Sequence, residues 1–172
     1  MDKTEFWKMI DITHKGGNGN PFKQSELMTD ALLKLSEAEL LEYDTIFRAL
    51  MDEAYVVDLW EAAYIIGCGC GDDGFMDFRG WLIGQGKETF EKALLDPESL
   101  VDLVERGSET QEGNLFYVAP NVYEIITGKD LPPISGNPPK LKGQPSGDEK
   151  LLLSRFPKLF NKFWKKCQEQ FN

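Results

Sequence analysis

The sequence has few of the residues that bind metals or act as nucleophiles, with one histidine and three cysteines among 172 residues. Cys68 and Cys70 are separated by a single residue, and Cys167 lies far along the chain. Structural zinc sites normally use four Cys or His ligands, and redox pairs normally have two residues between their cysteines. We therefore expect no metal site and no cofactor. The odd number of cysteines and their spacing also predict that no disulfide framework forms, which favours a reducing compartment.

The chain also lacks segments that would direct it to a membrane. No apolar run approaches the roughly 20 residues needed to cross a bilayer. Residues 1–5 do not follow the charged-then-apolar pattern of a signal peptide. Hydrophobic residues make up 41% of the chain, which is typical of a single globular domain. We expect a cytoplasmic protein that does not associate with membranes.

Positive charge is scarce except near the C-terminus. The net charge is −10, with 29 Asp or Glu against 19 Lys or Arg. Residues 151–172 contain five Lys or Arg and one Glu, a balance of +4, which leaves −14 for residues 1–150. An acidic surface repels phosphate groups, so nucleic-acid binding is not expected. The same surface would attract a basic protein partner.

Capping patterns mark the beginnings and ends of several helices. Asp2 with Glu5 and Ser36 with Glu39 have the spacing of capping boxes, which predicts helices that begin at these points. The turn-forming residues 16–21 end the first of these helices, because glycine, asparagine and proline favour turns. The periodicity of apolar residues predicts the remaining helices.

This periodicity predicts an all-α, single-domain bundle of about seven to nine helices with little or no sheet. A second helix is expected from Pro21 to Leu35, and a later one from Pro97 to about Glu105. Residues 114–127 fit either a helix or a strand, and their later apolar spacing favours a helix.

The last 44 residues divide into a linker and a basic helix. Residues 129–147 contain five prolines and three glycines and are expected to form a loop or linker between a domain at 1–128 and a segment at 148–172. In this last segment an aromatic stripe and several lysines follow helical spacing; they are Phe156, Phe160, Phe163, Trp164, Cys167 and Phe171, with Lys158, Lys162, Lys165 and Lys166. Such a helix could lie on an anionic membrane or dock in a partner's groove. Docking on the chain's own domain is the favoured hypothesis, because an exposed aromatic stripe invites aggregation.

The glycine-rich segment 67–74 and the helix after it form the candidate ligand-binding region. Asp72 and Asp73 are expected at the start of a helix, where carboxylates favour the positive end of the helix dipole. Arg79 could pair with either carboxylate or bind an anionic ligand, and Trp81 could supply an aromatic wall. The structural alternative is that the aspartates cap the helix, that Arg79 makes an ion pair and that Trp81 belongs to the core.

Several short motifs in and around this region resemble those of a known family. They are Glu5-Phe6-Trp7, Asp58-Leu59-Trp60-Glu61-Ala62-Ala63-Tyr64, Cys70-Gly71-Asp72-Asp73-Gly74-Phe75, Phe78-Arg79-Gly80-Trp81-Leu82-Ile83, Gln85-Gly86 and Asp96-Pro97-Glu98-Ser99-Leu100. On these motifs the sequence resembles a family of uncharacterised bacterial domains, domain of unknown function 4240 (DUF4240). The resemblance covers roughly residues 1–130 and implies no particular activity.

Two functional hypotheses follow from the sequence. The first is a protein-binding or regulatory module that acts through its acidic surface, for which a toxin-neutralising role would suit the size and charge. The alternative is a small-ligand-binding protein or an enzyme that uses a pocket at the 67–81 helix junction. Because no catalytic set is evident, the sequence favours binding over catalysis.

Overall fold

The protein is described by a computed structural model that covers residues 1–105, 108, 110, 115–133, 139–141, 143, 145–165 and 167. Over these residues the chain forms nine α-helices and no β-strand, so the predicted all-α fold is confirmed. The helices are α1 (Lys3–Gly17), α2 (Pro21–Leu32), α3 (Glu37–Glu53), α4 (Val57–Ile66), α5 (Asp72–Gly84), α6 (Lys87–Leu95), α7 (Leu115–Thr127), α8 (Glu149–Arg155) and α9 (Pro157–Leu159). A 3₁₀ helix (Pro97–Val101) follows α6, and a π-helical turn (Phe160–Trp164) follows α9. None of the described helices is long and apolar enough to cross a membrane.

Both predicted capping boxes are present and define where α1 and α3 begin. Asp2 Oδ1 accepts hydrogen bonds from the backbone amides of Thr4 (2.7 Å) and Glu5 (2.9 Å), and the Glu5 side chain accepts one from the amide of Asp2 (3.0 Å). Ser36 and Glu39 make the same reciprocal pair. These bonds satisfy amides that the first turn of a helix leaves without a partner.

Two helices end earlier than the periodicity predicts. The second helix ends at Leu32 rather than Leu35, because Ser36 must take an extended conformation to cap α3 and the intervening residues close a turn. The helix predicted from Pro97 to Glu105 is instead a 3₁₀ helix that ends at Val101. The ambiguous segment 114–127 is helical from Leu115 as α7, while Asn114 lies outside the described residues.

Helix α5 lies at the centre of the bundle, where it packs against α1, α2, α3, α4, α6 and α7. Its residues Phe75, Phe78 and Leu82 are fully buried. Aromatic side chains of α1 and α3 meet nearby, with the ring centres of Phe6 and Tyr43 5.0 Å apart. Burial of these aromatic surfaces stabilises this arrangement.

The C-terminal segment, residues 148–165 and 167, returns to the bundle and packs on α4 and the 3₁₀ helix. The aromatic residues Phe156, Phe160, Phe163 and Trp164 are buried by this packing. Arg155 forms ion pairs with Asp58 and Glu61 of α4. Lys166 and Phe171, which the periodicity places on the same predicted helix, lie outside the described residues.

A disulfide joins Cys68 to Cys167, with Cα atoms 5.6 Å apart. The prediction that these cysteines form no disulfide is therefore wrong. The two are 99 residues apart in sequence, and sequence spacing alone does not show that the C-terminal segment folds back over the junction between α4 and α5. The argument from cysteine content to a reducing compartment consequently fails, and a cytoplasmic location stays a prediction.

Candidate functional site

The first turn of α5 presents two of the predicted site residues to solvent. Asp72 and Asp73 are both exposed, and neither side chain caps the helix. One turn later, Asp77 has one carboxylate oxygen that is buried without a hydrogen-bond partner. Burial, and then the charge of Asp73, raise the pKa of Asp77 above its ordinary value. We call Asp72, Asp73 and Asp77 the α5 acidic face.

Arg79 points into the protein and makes no ion pair with Asp72 or Asp73. Its Nη1 donates a hydrogen bond to the carbonyl of Met51 in the last turn of α3 (2.7 Å). The guanidinium carbon lies 4.8 Å from the ring centre of Tyr55 and 5.0 Å from that of Phe75. Burial lowers the pKa of the Arg79 guanidinium, but an arginine remains charged in any folded protein. Arg79 thus satisfies a helix-end carbonyl and stacks on two aromatic rings.

Trp81 follows Arg79 by two positions on α5, which places it about 200° around the helix and on the other side. Its indole is buried to 8% exposure and lies beside Phe78, with ring centres 5.4 Å apart. The four predicted site residues therefore do not converge on one pocket. Of the four, Trp81 lines a cleft near the end of α5, and a ligand-binding role for the set stays a prediction.

This cleft has a volume of about 550 Å³ and opens between the α1–α2 turn, the end of α5 and the segment after the 3₁₀ helix. Its size lies within the range of small-molecule sites. The described lining residues are His14, Asn18, Gly19, Asn20, Pro21, Gln24, Trp81, Gln85, Leu103, Val104 and Ser108.

Tight packing between α1, α2 and α5 fixes the wall of the cleft. Gly17 lies so close to Gln24 that an added Cβ would be 3.2 Å from its backbone. The Gln24 side chain is 4% exposed and donates a hydrogen bond to the carbonyl of Gly84 (2.8 Å). Asn18 has a left-handed conformation (φ 49°), and the Asn20 side chain accepts a bond from the amide of Lys23 (2.9 Å). These contacts hold the turn in one shape, which is what a preformed binding site requires.

The lining of the cleft is mainly polar over the residues that the structure describes. Carboxamides, a hydroxyl and an imidazole can donate and accept hydrogen bonds, while the indole of Trp81 and two aliphatic side chains supply apolar surface. The described lining residues include no Asp, Glu, Lys or Arg. Such a surface suits an uncharged polar molecule, because an ion would find no carboxylate, ammonium or guanidinium among the described lining residues to offset its desolvation.

Sequence analysis did not identify the cleft as a site. The available signal was the run Gly16-Gly17-Asn18-Gly19-Asn20-Pro21, which places two amides on a tight turn, one helical turn after His14. In the sequence alone, that run indicates only the end of a helix. Its proximity to Trp81 and Gln85 arises from packing between α1, α2 and α5 and has no counterpart in the spacing of residues.

A second, smaller cavity of about 200 Å³ lies where the C-terminal segment meets α4. It is mainly apolar and lined by Trp60, Glu61, Tyr64, Cys70, Pro145, Gly147 and Leu152. Burial, and then the charge of Asp77, raise the pKa of the Cys70 thiol to about 12. A thiol with so high a pKa is a poor nucleophile near neutral pH. Over the residues that the structure describes, no three His, Cys, Asp or Glu side chains converge to hold a metal ion.

Comparison with known proteins identifies the family of the chain but no function. A family model described as "Protein of unknown function (DUF4240)" matches residues 1–125 of the chain, which confirms the resemblance found in the sequence motifs. No curated protein and no solved structure matches the chain.

Proposed function

The chain belongs to the DUF4240 family, whose function is unknown, and we propose that it binds an uncharged polar small molecule in the cleft beside Trp81. The observation that carries this proposal is the composition of the cleft, whose described lining residues combine hydrogen-bonding side chains other than Asp, Glu, Lys or Arg with the indole of Trp81. Small-molecule sites commonly combine an apolar surface with a few placed polar groups. A sugar, a nucleoside or a similar ring that carries hydroxyl or amide groups has the matching chemistry.

The lining favours binding over catalysis. His14 is the only histidine of the chain, and no carboxylate is among the described lining residues to orient it or act beside it. General acid–base catalysis normally uses such a partner. The proposal is therefore for a binding protein, in which the amides of Asn18, Asn20 and Gln85 hold the ligand and Trp81 covers one of its faces.

Thermal unfolding of the protein with a panel of neutral sugars, nucleosides and amino-acid amides tests this proposal. A ligand of the cleft raises the unfolding midpoint, and the stabilisation grows with the logarithm of one plus the ratio of the ligand concentration to Kd. The rise should be lost in His14→Ala and Gln85→Ala, and retained in Asn121→Ala, which removes an exposed amide outside the cleft. If no compound raises the midpoint, or if the rise survives both cleft substitutions, the proposed function is wrong.

The α5 acidic face supports a second candidate, a protein-binding or regulatory module that takes a basic partner. Asp72 and Asp73 are exposed, and neither makes an ion pair within the described part of the chain. Their charge adds to the −14 balance of residues 1–150, which would attract a basic surface at low salt. A toxin-neutralising role is one form that this function could take.

This candidate is tested by affinity capture at low salt from the native host. A stoichiometric basic partner should be recovered with the natural chain and lost with Asp72→Asn/Asp73→Asn. The matched control is Glu88→Gln, which removes an exposed carboxylate from α6 instead. Recovery of the same partner by the double variant would remove the α5 acidic face from consideration.

A further inference from the structure

The C-terminal segment contacts α4 through an acidic and aromatic surface. Arg155 pairs with the Asp58 carboxylate at 2.5 Å and also with Glu61, which is only 2% exposed. The ring of Trp164 stacks on that of Tyr64 with centres 5.0 Å apart. We call Asp58, Glu61 and Tyr64 the α4 face. It binds one arginine through two carboxylates and one aromatic ring through stacking, so it is complementary to a basic amphipathic helix.

The neighbouring 3₁₀ helix extends this complementarity. The carboxylate of Glu98 accepts hydrogen bonds from the backbone amides of Lys158 (2.6 Å) and Leu159 (3.2 Å) at the start of α9. The Lys162 ammonium donates to the carbonyl of Val101 (2.8 Å). Carboxylates and carbonyls on one side thus meet amides and ammonium groups on the other.

The contact between the C-terminal segment and α4 is incompletely packed. The cavity of about 200 Å³ lies along this contact and is partly open to solvent, with Trp60 and Tyr64 of α4 on one side and Pro145 and Leu152 on the other. The Ser146 hydroxyl and the Trp164 indole N–H are buried there without hydrogen-bond partners. Each group would regain hydrogen bonds to water if the segment left α4. These new hydrogen bonds would offset part of the free energy lost when the segment is released.

The Cys68–Cys167 disulfide is the covalent link across this contact. Cys68 is exposed and can be attacked by an external thiolate, whereas Cys167 is 3% exposed. A thiolate of a small dithiol would bond to Cys68 Sγ, the S–S bond would break and Cys167 would leave as a thiolate. The second thiol of the reductant then displaces Cys68, so the dithiol is oxidised by two electrons and both cysteines end as thiols.

We propose that the α4 face is a binding surface for a basic amphipathic helix, which the chain's own C-terminal segment occupies while the Cys68–Cys167 disulfide is closed. When the disulfide is reduced, the C-terminal segment is no longer bonded to Cys68 and is tethered only by the long linker that precedes it. Its effective concentration at the α4 face is therefore lower. A partner helix of the same chemistry can then compete for Asp58, Glu61 and Tyr64. This surface is distinct in its residues from the cleft, so the inference does not depend on the proposed small-molecule function.

Binding of a fluorescent peptide with the sequence of residues 148–165 to the full-length protein tests the proposal. The reduced chain and Cys167→Ser should bind the peptide at least about tenfold more tightly than the oxidised chain. The same peptide with Arg155→Gln should bind at least about tenfold more weakly, because it leaves the Glu61 carboxylate without the cation that pairs with it. The matched protein control is Cys70→Ser, which keeps the disulfide and should behave as the natural chain does in both redox states.

Amide hydrogen exchange on the same samples shows whether the fold survives reduction. Exchange in α8 and α9 should rise about tenfold or more on reduction, while that of α1, α3 and α5 stays unchanged. The proposal is overturned if oxidised and reduced chains bind the peptide alike, if neither binds it, or if the Arg155→Gln peptide binds equally well. It is also overturned if exchange rises throughout the bundle, because the disulfide would then hold the whole fold together.

Discussion

Substitution of Arg79 by alanine should destabilise the protein by about 3 kcal/mol without any ligand being present. The variant leaves the Met51 carbonyl without its charged donor, and hydrogen bonds to charged groups contribute about 1.5–3 kcal/mol. It also removes the guanidinium from the rings of Tyr55 and Phe75, at roughly 0.5–1 kcal/mol for each contact. Arg79→Lys retains the charge but loses the planar fork, so about half of the loss is expected.

The loss would be measured as the free energy of unfolding in urea, followed by helical circular dichroism at neutral pH under oxidising conditions. Asp73→Asn provides the comparison, because an exposed carboxylate without an ion pair should change stability by no more than about 0.5 kcal/mol. The reasoning is refuted if Arg79→Ala costs less than about 1 kcal/mol. It is equally refuted if Asp73→Asn costs as much as Arg79→Ala, because Arg79 would then be held by that carboxylate and not by Met51.

Three further predictions concern other parts of the molecule. Gly17→Ala should lower the free energy of unfolding in urea by about 1–3 kcal/mol, because the added Cβ would lie against the backbone of Gln24. Gly71→Ala is the control and should not cause this loss, because the space around Gly71 is open. Cys70 in the oxidised protein should react with iodoacetamide at pH 8 roughly 10³-fold more slowly than free cysteine, since its pKa is about 12; a rate near that of free cysteine contradicts its burial. Asp77→Asn should stabilise the protein slightly at neutral pH, because burial raises the pKa of the natural carboxylate and disfavours its charged form, an effect that solvent reduces at this partly exposed site. Because the pKa of Asp77 is raised in the folded protein, the natural carboxylate destabilises the fold only at pH values where it is ionised. The gain from Asp77→Asn should therefore vanish below about pH 3.9, the ordinary pKa of an aspartate. A gain that persists below that pH would exclude titration of Asp77 as its cause.

The family and the helical class could be predicted from the sequence because both depend on local patterns. Capping residues at Asp2 and Ser36 act on amides two or three positions away, and apolar periodicity reports which side of a helix is buried. Where prediction erred, at the end of α2, the cause was also local: Ser36 cannot both continue one helix and cap the next. The acidic character of α5 and the basic character of the C-terminal segment are equally properties of the sequence.

The sites depend on contacts between distant residues, and only the tertiary structure decided them. Arg79 and Trp81 are two positions apart, yet one reaches Met51 and the other lines a cleft with His14, because a helix turns by about 100° per residue. The disulfide joins residues that are 99 positions apart, which the number and spacing of cysteines could not reveal. Sequence periodicity fixes which side of each helix is buried, whereas the packing of one helix against another determines which residues meet at a cleft, an ion pair or a disulfide.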